Sequence, residues 1–101
     1  MSVLVVMKVS GDVATFRKAI VERRDEFAAV GERARGAGAI HHRFGVGDGY
    51  VLVVDEWETP QDFEKFFGDP DLQAFIGSIG GDTSAPPEMT ITEAVSSADE
   101  F

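Results

Sequence analysis

A chain of 101 residues, 44% apolar and 10% aromatic, is sized for one folded domain with a single core and is not the composition of a disordered protein. Its net charge of −9 argues against nucleic acid as a partner, because phosphate binding needs a coherent basic surface. The absence of cysteine removes disulfides and thiolate metal sites, and it suits a reducing, cytoplasmic setting.

Residues 3–9, "VLVVMKV", are short and β-branched and predict a first strand. The opening "MSVLVVMKVS" lacks a basic leader and a cleavage site and is too short to cross a bilayer, so it is expected to be neither a signal nor a membrane segment. Asp12 is placed to cap a helix whose apolar stripe runs Val13, Phe16, Ile20, Phe27, Val30, Ala34. Arg33 and Arg35 suit the last turn of that helix, and Gly36 suits its stop.

Residues 1–43 carry eight basic and five acidic groups, and residues 44–101 carry one and thirteen. The basic residues of the first helix, from Arg17 to Arg35, are interleaved with Glu22, Asp25, Glu26 and Glu32, the pattern of a solvated helix face.

"AIHHRF" and "YVLVVDEW" predict the second and third strands, joined by a tight hairpin through "GVGDG". With the hairpin centred on Gly47, Ile40, His42 and Phe44 share a face with Tyr50, Leu52 and Val54. His41 and Arg43 then share the other with Val51, Val53, Asp55 and Trp57. A slip of one residue exchanges the two sets.

Thr59 and Pro60 start a helix bearing Phe63, Phe66 and Phe67. After "GDPD", Asp69 caps a shorter one with Leu72, Phe75 and Ile76. A loop over 77–87, a fourth strand "EMTITEAV" and a polar tail over 96–101 complete the chain.

The order β-α-β-β-α-β over residues 1–95 predicts an α+β, ferredoxin-like fold: a four-stranded antiparallel sheet with helices on one face. Strands one and three are apolar on both faces. A sheet with one wet face alternates instead, so the second face is expected to be covered by another copy of the chain.

The stretch "GYVLVVDEWETPQDFEKFFGDPDLQAFI" resembles the dimeric α+β-barrel superfamily, in particular its antibiotic biosynthesis monooxygenase-like group. The shared features are an apolar third strand ending in an acidic-x-Trp triplet, a short polar break and a phenylalanine-bearing helix. The resemblance implies a homodimer with a pocket between each sheet and its helices. It also implies either oxygenation of aromatic, polyketide-like molecules without metal or flavin, or a non-catalytic ligand-binding or dimerisation module on the same scaffold. Relatives that degrade haem place a tryptophan near the position of Phe66 and an iron-ligating histidine near that of Ile76. Neither residue here can donate to iron.

His41 and His42 are the only histidines. As neighbours on a strand they point to opposite faces, so they cannot share a metal within one chain. No dinucleotide glycine pattern accompanies them, and no metal or other cofactor is expected. One of the two is a candidate proton acceptor in a pocket, with Asp55 near His41 or Arg43 as its orienting partner. Trp57, Phe66 and Phe75 are candidate substrate-binding walls. Each also has a purely structural role open to it: a hydrogen-bonded histidine at a seam, an interfacial ion pair, and aromatic anchors of the core.

Overall fold

The computed structural model describes residues 1–101. Its elements are β1 (Val3–Ser10), α1 (Val13–Glu22), α2 (Arg24–Gly36), β2 (Ala39–Val46), β3 (Tyr50–Trp57), α3 (Pro60–Phe67), α4 (Pro70–Ser78) and β4 (Glu88–Glu93). The strands form one antiparallel sheet in the order β2-β3-β1-β4, the ferredoxin-like arrangement with the helices packed on one face. No helix is long and apolar enough to cross a membrane.

The helix starts follow from their caps. The Asp12 side chain accepts from the Thr15 amide at 3.2 Å, Thr59 from Asp62 at 3.0 Å, and Asp69 from Asp71 at 2.8 Å. Each satisfies one of the amides that a helix leaves free at its first turn. Pro60 and Pro70 follow their caps, where a missing amide costs nothing.

Four sequence expectations need correction. The first helix is two, broken at Arg23 (φ −115°, ψ 35°). The Arg23 guanidinium holds the break by reaching Glu26 at 2.6 and 2.9 Å and the Ser78 hydroxyl at 2.9 Å. The break also shifts the buried stripe: Ala19 is buried and Ile20 is 40% exposed. Finally, α4 runs on to Ser78, and β4 ends at Glu93, leaving residues 94–101 with no helix or strand.

The core lies between sheet and helices. Val3, Val5 and Met7 of β1 meet Val53 and Trp57 of β3, with Ala34 and Phe63 above them. A second cluster of Phe16, Ala19 and Ile79 extends it toward the hairpin end. The opposite face is also apolar along its middle strands. Leu4 and Val6 of β1 and Val54 of β3 are each at least 40% exposed there.

Candidate functional site

The site begins with the register of β2 on β3. Ala39 pairs with Trp57, and then the next pair is His41 with Glu56, so Ile40 is an extra residue in a β-bulge. Beyond the bulge His42 pairs with Asp55 and Phe44 with Val53, on the helix side of the sheet. The expected assignment of faces is therefore reversed. His42 and Phe44 share a face with Val51, Val53, Asp55 and Trp57, and His41 and Arg43 lie on the other with Glu56, Val54 and Leu52. The hairpin loop agrees with this register. Gly47 donates to the Tyr50 carbonyl at 3.0 Å around Asp48 and Gly49, and Gly49 takes the positive φ (79°) that the turn needs.

This register puts three polar groups in a line. His42 Nδ1 lies 2.7 Å from Asp55 Oδ1, and Trp57 Nε1 donates to Asp55 Oδ2 at 3.0 Å. A carboxylate only accepts, so Nδ1 carries the hydrogen and the neutral ring keeps its lone pair on Nε2. Asp55 is the one buried charged residue, 7% exposed, and the two donors supply the hydrogen bonds that make its burial tolerable. The His42 side chain is 43% exposed, and its ring stands edge-on to Phe44 at 4.5 Å.

His42 and Asp55 border a cavity of about 370 Å³ between the sheet and the helices. Its volume is within the range of small-molecule sites, and its walls are mostly apolar with few polar groups. Phe16, Phe27, Phe44 and Phe75 form a set of edge-to-face ring contacts 5.0–6.2 Å apart around one part of it. Phe66 and Phe67 lie on its α3 side. At the hairpin end, Gly80 and Gly81 close against Gly11, where an added Cβ would come within 2.3 Å of the Gly80 carbonyl. Asp12 also borders that end. The backbone amide of Thr15, and then its hydroxyl, hold the Asp12 carboxyl below the usual carboxylate range.

The candidate residues thus separate. His42, Asp55, Phe66 and Phe75 come together around the cavity. His41 touches the cavity edge at the bulge, but its register partner Glu56 places it on the opposite face. Trp57 does not line the cavity. It is 1% exposed and packs against Phe63 and Phe66 at 5.7 and 5.4 Å, behind Asp55. Asp55 meets His42 instead of His41 or Arg43, because the Asp48-Gly49 turn starts the register at Val46 opposite Val51 and it runs unbroken to His42 opposite Asp55. The bond from Trp57 to Asp55 was not expected, although both residues lie two apart on one strand face, a spacing that allows it. No group of three or more His, Asp or Glu side chains converges anywhere in the chain.

No model of a known protein family matches the sequence, and no curated protein matches it. Solved structures do match. One is a monooxygenase from the gene ActVA-Orf6 of Streptomyces coelicolor in complex with nanaomycin D, with TM-score 0.67 and 20% identity over 99% of this chain and 93% of that one. Another is Rv0793 from Mycobacterium tuberculosis, with TM-score 0.62 and 15% identity over 98% and 100%. A third is SnoaB, a cofactor-independent oxygenase from Streptomyces nogalater, with TM-score 0.59 and 14% identity over 98% of each chain. The chain has the fold of the antibiotic biosynthesis monooxygenases, as the resemblance of its third strand and following helices implies. At these identities the likeness is one of fold.

Proposed function

We propose that the protein is a cofactor-independent monooxygenase acting on a small hydroxylated aromatic or polyketide-like molecule held in this cavity. The observation that carries the proposal is the hydrogen-bonded line from Trp57 through Asp55 to His42, at the border of a cavity that is otherwise nearly apolar. His42 Nε2 takes the proton of a ring hydroxyl. Asp55 fixes the tautomer and stabilises the imidazolium that forms, and Trp57 positions Asp55. The electron-rich oxyanion is then the species that reduces dioxygen. For a phenol going to a quinone, one oxygen atom enters the ring and the other leaves as water. The substrate supplies all four electrons, so the chemistry calls for no further reductant. Two of the similar structures are described as a monooxygenase and a cofactor-independent oxygenase, which supports this choice of reaction class.

The test follows oxygen uptake and quinone absorbance with naphthols and anthrones, alongside Trp57 fluorescence. Trp57 lies against Phe66, a cavity wall, so a bound ring is expected to alter its emission. His42→Ala is expected to lower turnover by about a hundredfold or more, the usual contribution of a general base, and His41→Ala to leave it unchanged. Equal losses in both would overturn the assignment. The 43% exposure of the His42 side chain favours a second reading, a ligand-binding module without catalysis. Saturable fluorescence changes with no oxygen uptake by any variant would select that one.

We also propose that the outer sheet face joins two copies of the chain. Val6 and Val54 are register partners at its centre, 40% and 44% exposed, with Leu4 and Leu52 beside them and Lys8, Arg43 and Glu56 around them. An apolar centre within a charged rim is how stable protein interfaces are built. Val6→Glu is expected to give a folded monomer in sedimentation at micromolar concentration, where the unaltered chain is dimeric. A monomeric unaltered chain would refute the interface. Val5 is fully buried on the core side, so Val5→Glu would unfold the domain and is not a substitute test.

A further inference from the structure

We infer that Arg35 selects acidic ligands at the mouth of the cavity, so that the molecule bound there carries a carboxylate or comparable anionic group as well as its ring hydroxyl. This rests on the reading of the cavity as a ligand site and adds the class of ligand to it.

The exposed lining residues Arg35 of α2 and Ile40, His41 and His42 of β2 put the mouth where α2 passes the edge strand β2. Phe27, Gly31 and Arg35 recur every fourth residue on α2 and all border the cavity, as do Ile40 and His42 of β2. Phe27 packs 6.1 Å from Phe44 and so marks the inner end of this stripe. Arg35, exposed, marks its outer end. Between them Gly31 sits inside a helix, a position that costs about 1 kcal/mol relative to alanine. An added Cβ at Gly31 would meet nothing within 4 Å, so no packing demand explains the glycine. Without a side chain it leaves this part of the cavity border uncovered.

Arg35 is the only lysine or arginine that borders the cavity. Its one ionic partner is Glu32, at 3.6 Å, and both side chains are about three-quarters exposed. Pairs of this kind are weak, so the guanidinium is free to turn to a ligand. Asp55, the carboxylate of β3 that borders the cavity, is already engaged by His42 and Trp57. The charge of the whole chain, −9, repels anions, yet the elements that form the mouth come from its basic half. Arg33 and Arg35 end α2. An acidic molecule approaching this chain is therefore drawn to the one border that carries a fork of donors matched to a carboxylate. Once there, its apolar rings have only the phenylalanine-lined interior to enter.

The test compares 2-naphthol with 3-hydroxy-2-naphthoate, which differ by a single carboxylate, in calorimetric titrations at low and high salt. The unaltered protein is expected to bind the hydroxynaphthoate about tenfold more tightly, and the preference is expected to shrink with salt. Arg35→Gln should abolish the preference and leave 2-naphthol affinity unchanged. Arg35→Lys should keep part of it, since lysine offers charge without the planar fork. Glu32→Gln, which removes the competing carboxylate, should enlarge it. A preference that is absent from the unaltered protein or persists undiminished in Arg35→Gln overturns the inference, as does an equal loss of both ligands in Arg35→Gln. In those cases the binding of 2-naphthol still upholds the cavity as a ligand site. If neither compound binds the unaltered protein, the cavity reading fails and this one with it.

Discussion

Asp55→Asn is expected to leave the fold intact and to reduce oxygen uptake by about a hundred- to ten-thousandfold, the range a general base contributes. The reason lies in the direction of two hydrogen bonds. The Trp57 indole N–H, 3.0 Å away, can only donate, so the asparagine must turn its carbonyl oxygen toward it. Its amide NH₂ then faces His42 Nδ1, the atom that stands 2.7 Å from the carboxylate in the unaltered protein. Nδ1 must become the acceptor, and the ring hydrogen moves to Nε2. The base that was to take a proton from the ligand now presents a hydrogen to it. Volume and burial scarcely change, so thermal melting should move much less than activity does. Ligand affinity should also survive, because the apolar walls are untouched. Activity retained within threefold would show that His42 is not the proton acceptor, whatever His42→Ala does.

The same pair of residues shows how far the sequence could be read. The β-α-β-β-α-β order, the caps at Asp12, Thr59 and Asp69 and the double-faced apolar strands are all local signals, and local physics sets them. The face on which each histidine lies is a different kind of quantity. It depends on parity, and one extra residue reverses it. Ala39 opposite Trp57 has the parity that would put His41 over Asp55. The register that starts at the hairpin turn gives that place to His42, and the bulge at Ile40 absorbs the one-residue difference before Ala39. No residue type announces a bulge there. The other end of the hairpin did carry a usable signal, because Asp48-Gly49 is a strong two-residue turn, and starting from it gives the pairing of Val46 with Val51 that the structure has. A hairpin centred on Gly47 has a different register and exchanges the two faces. The break at Arg23 was hidden for another reason: it is fixed by contacts with Glu26 and with Ser78, which is remote in sequence.

Trp57 is where fold and site depend on the same side chain, and Trp57→Ala is expected to be the most destabilising of the substitutions at the site. The residue is 1% exposed and fills the space between β1, β2 and α3, with Val3 and Ala39 as its register partners and Phe63 and Phe66 against its ring. Truncating a buried tryptophan costs about 3–5 kcal/mol. A domain of this size has about 5–15 kcal/mol in all. At about 4–8 °C per kcal/mol, the melting temperature should fall by roughly 12 °C or more. Trp57→Phe divides the loss into its parts. Phenylalanine restores much of the packing but has no N–H, so Asp55 Oδ2 is left without its donor in a buried position, at a cost of about 1–3 kcal/mol. Thermal melts followed by circular dichroism should therefore rank the unaltered chain above Trp57→Phe and Trp57→Ala lowest. A Trp57→Phe protein as stable as the unaltered one would mean that the indole N–H does nothing for Asp55. If instead Trp57→Phe folds well below its melting temperature yet turns over substrate slowly, with ligand affinity retained, the indole positions Asp55 for the reaction as well as holding up the core.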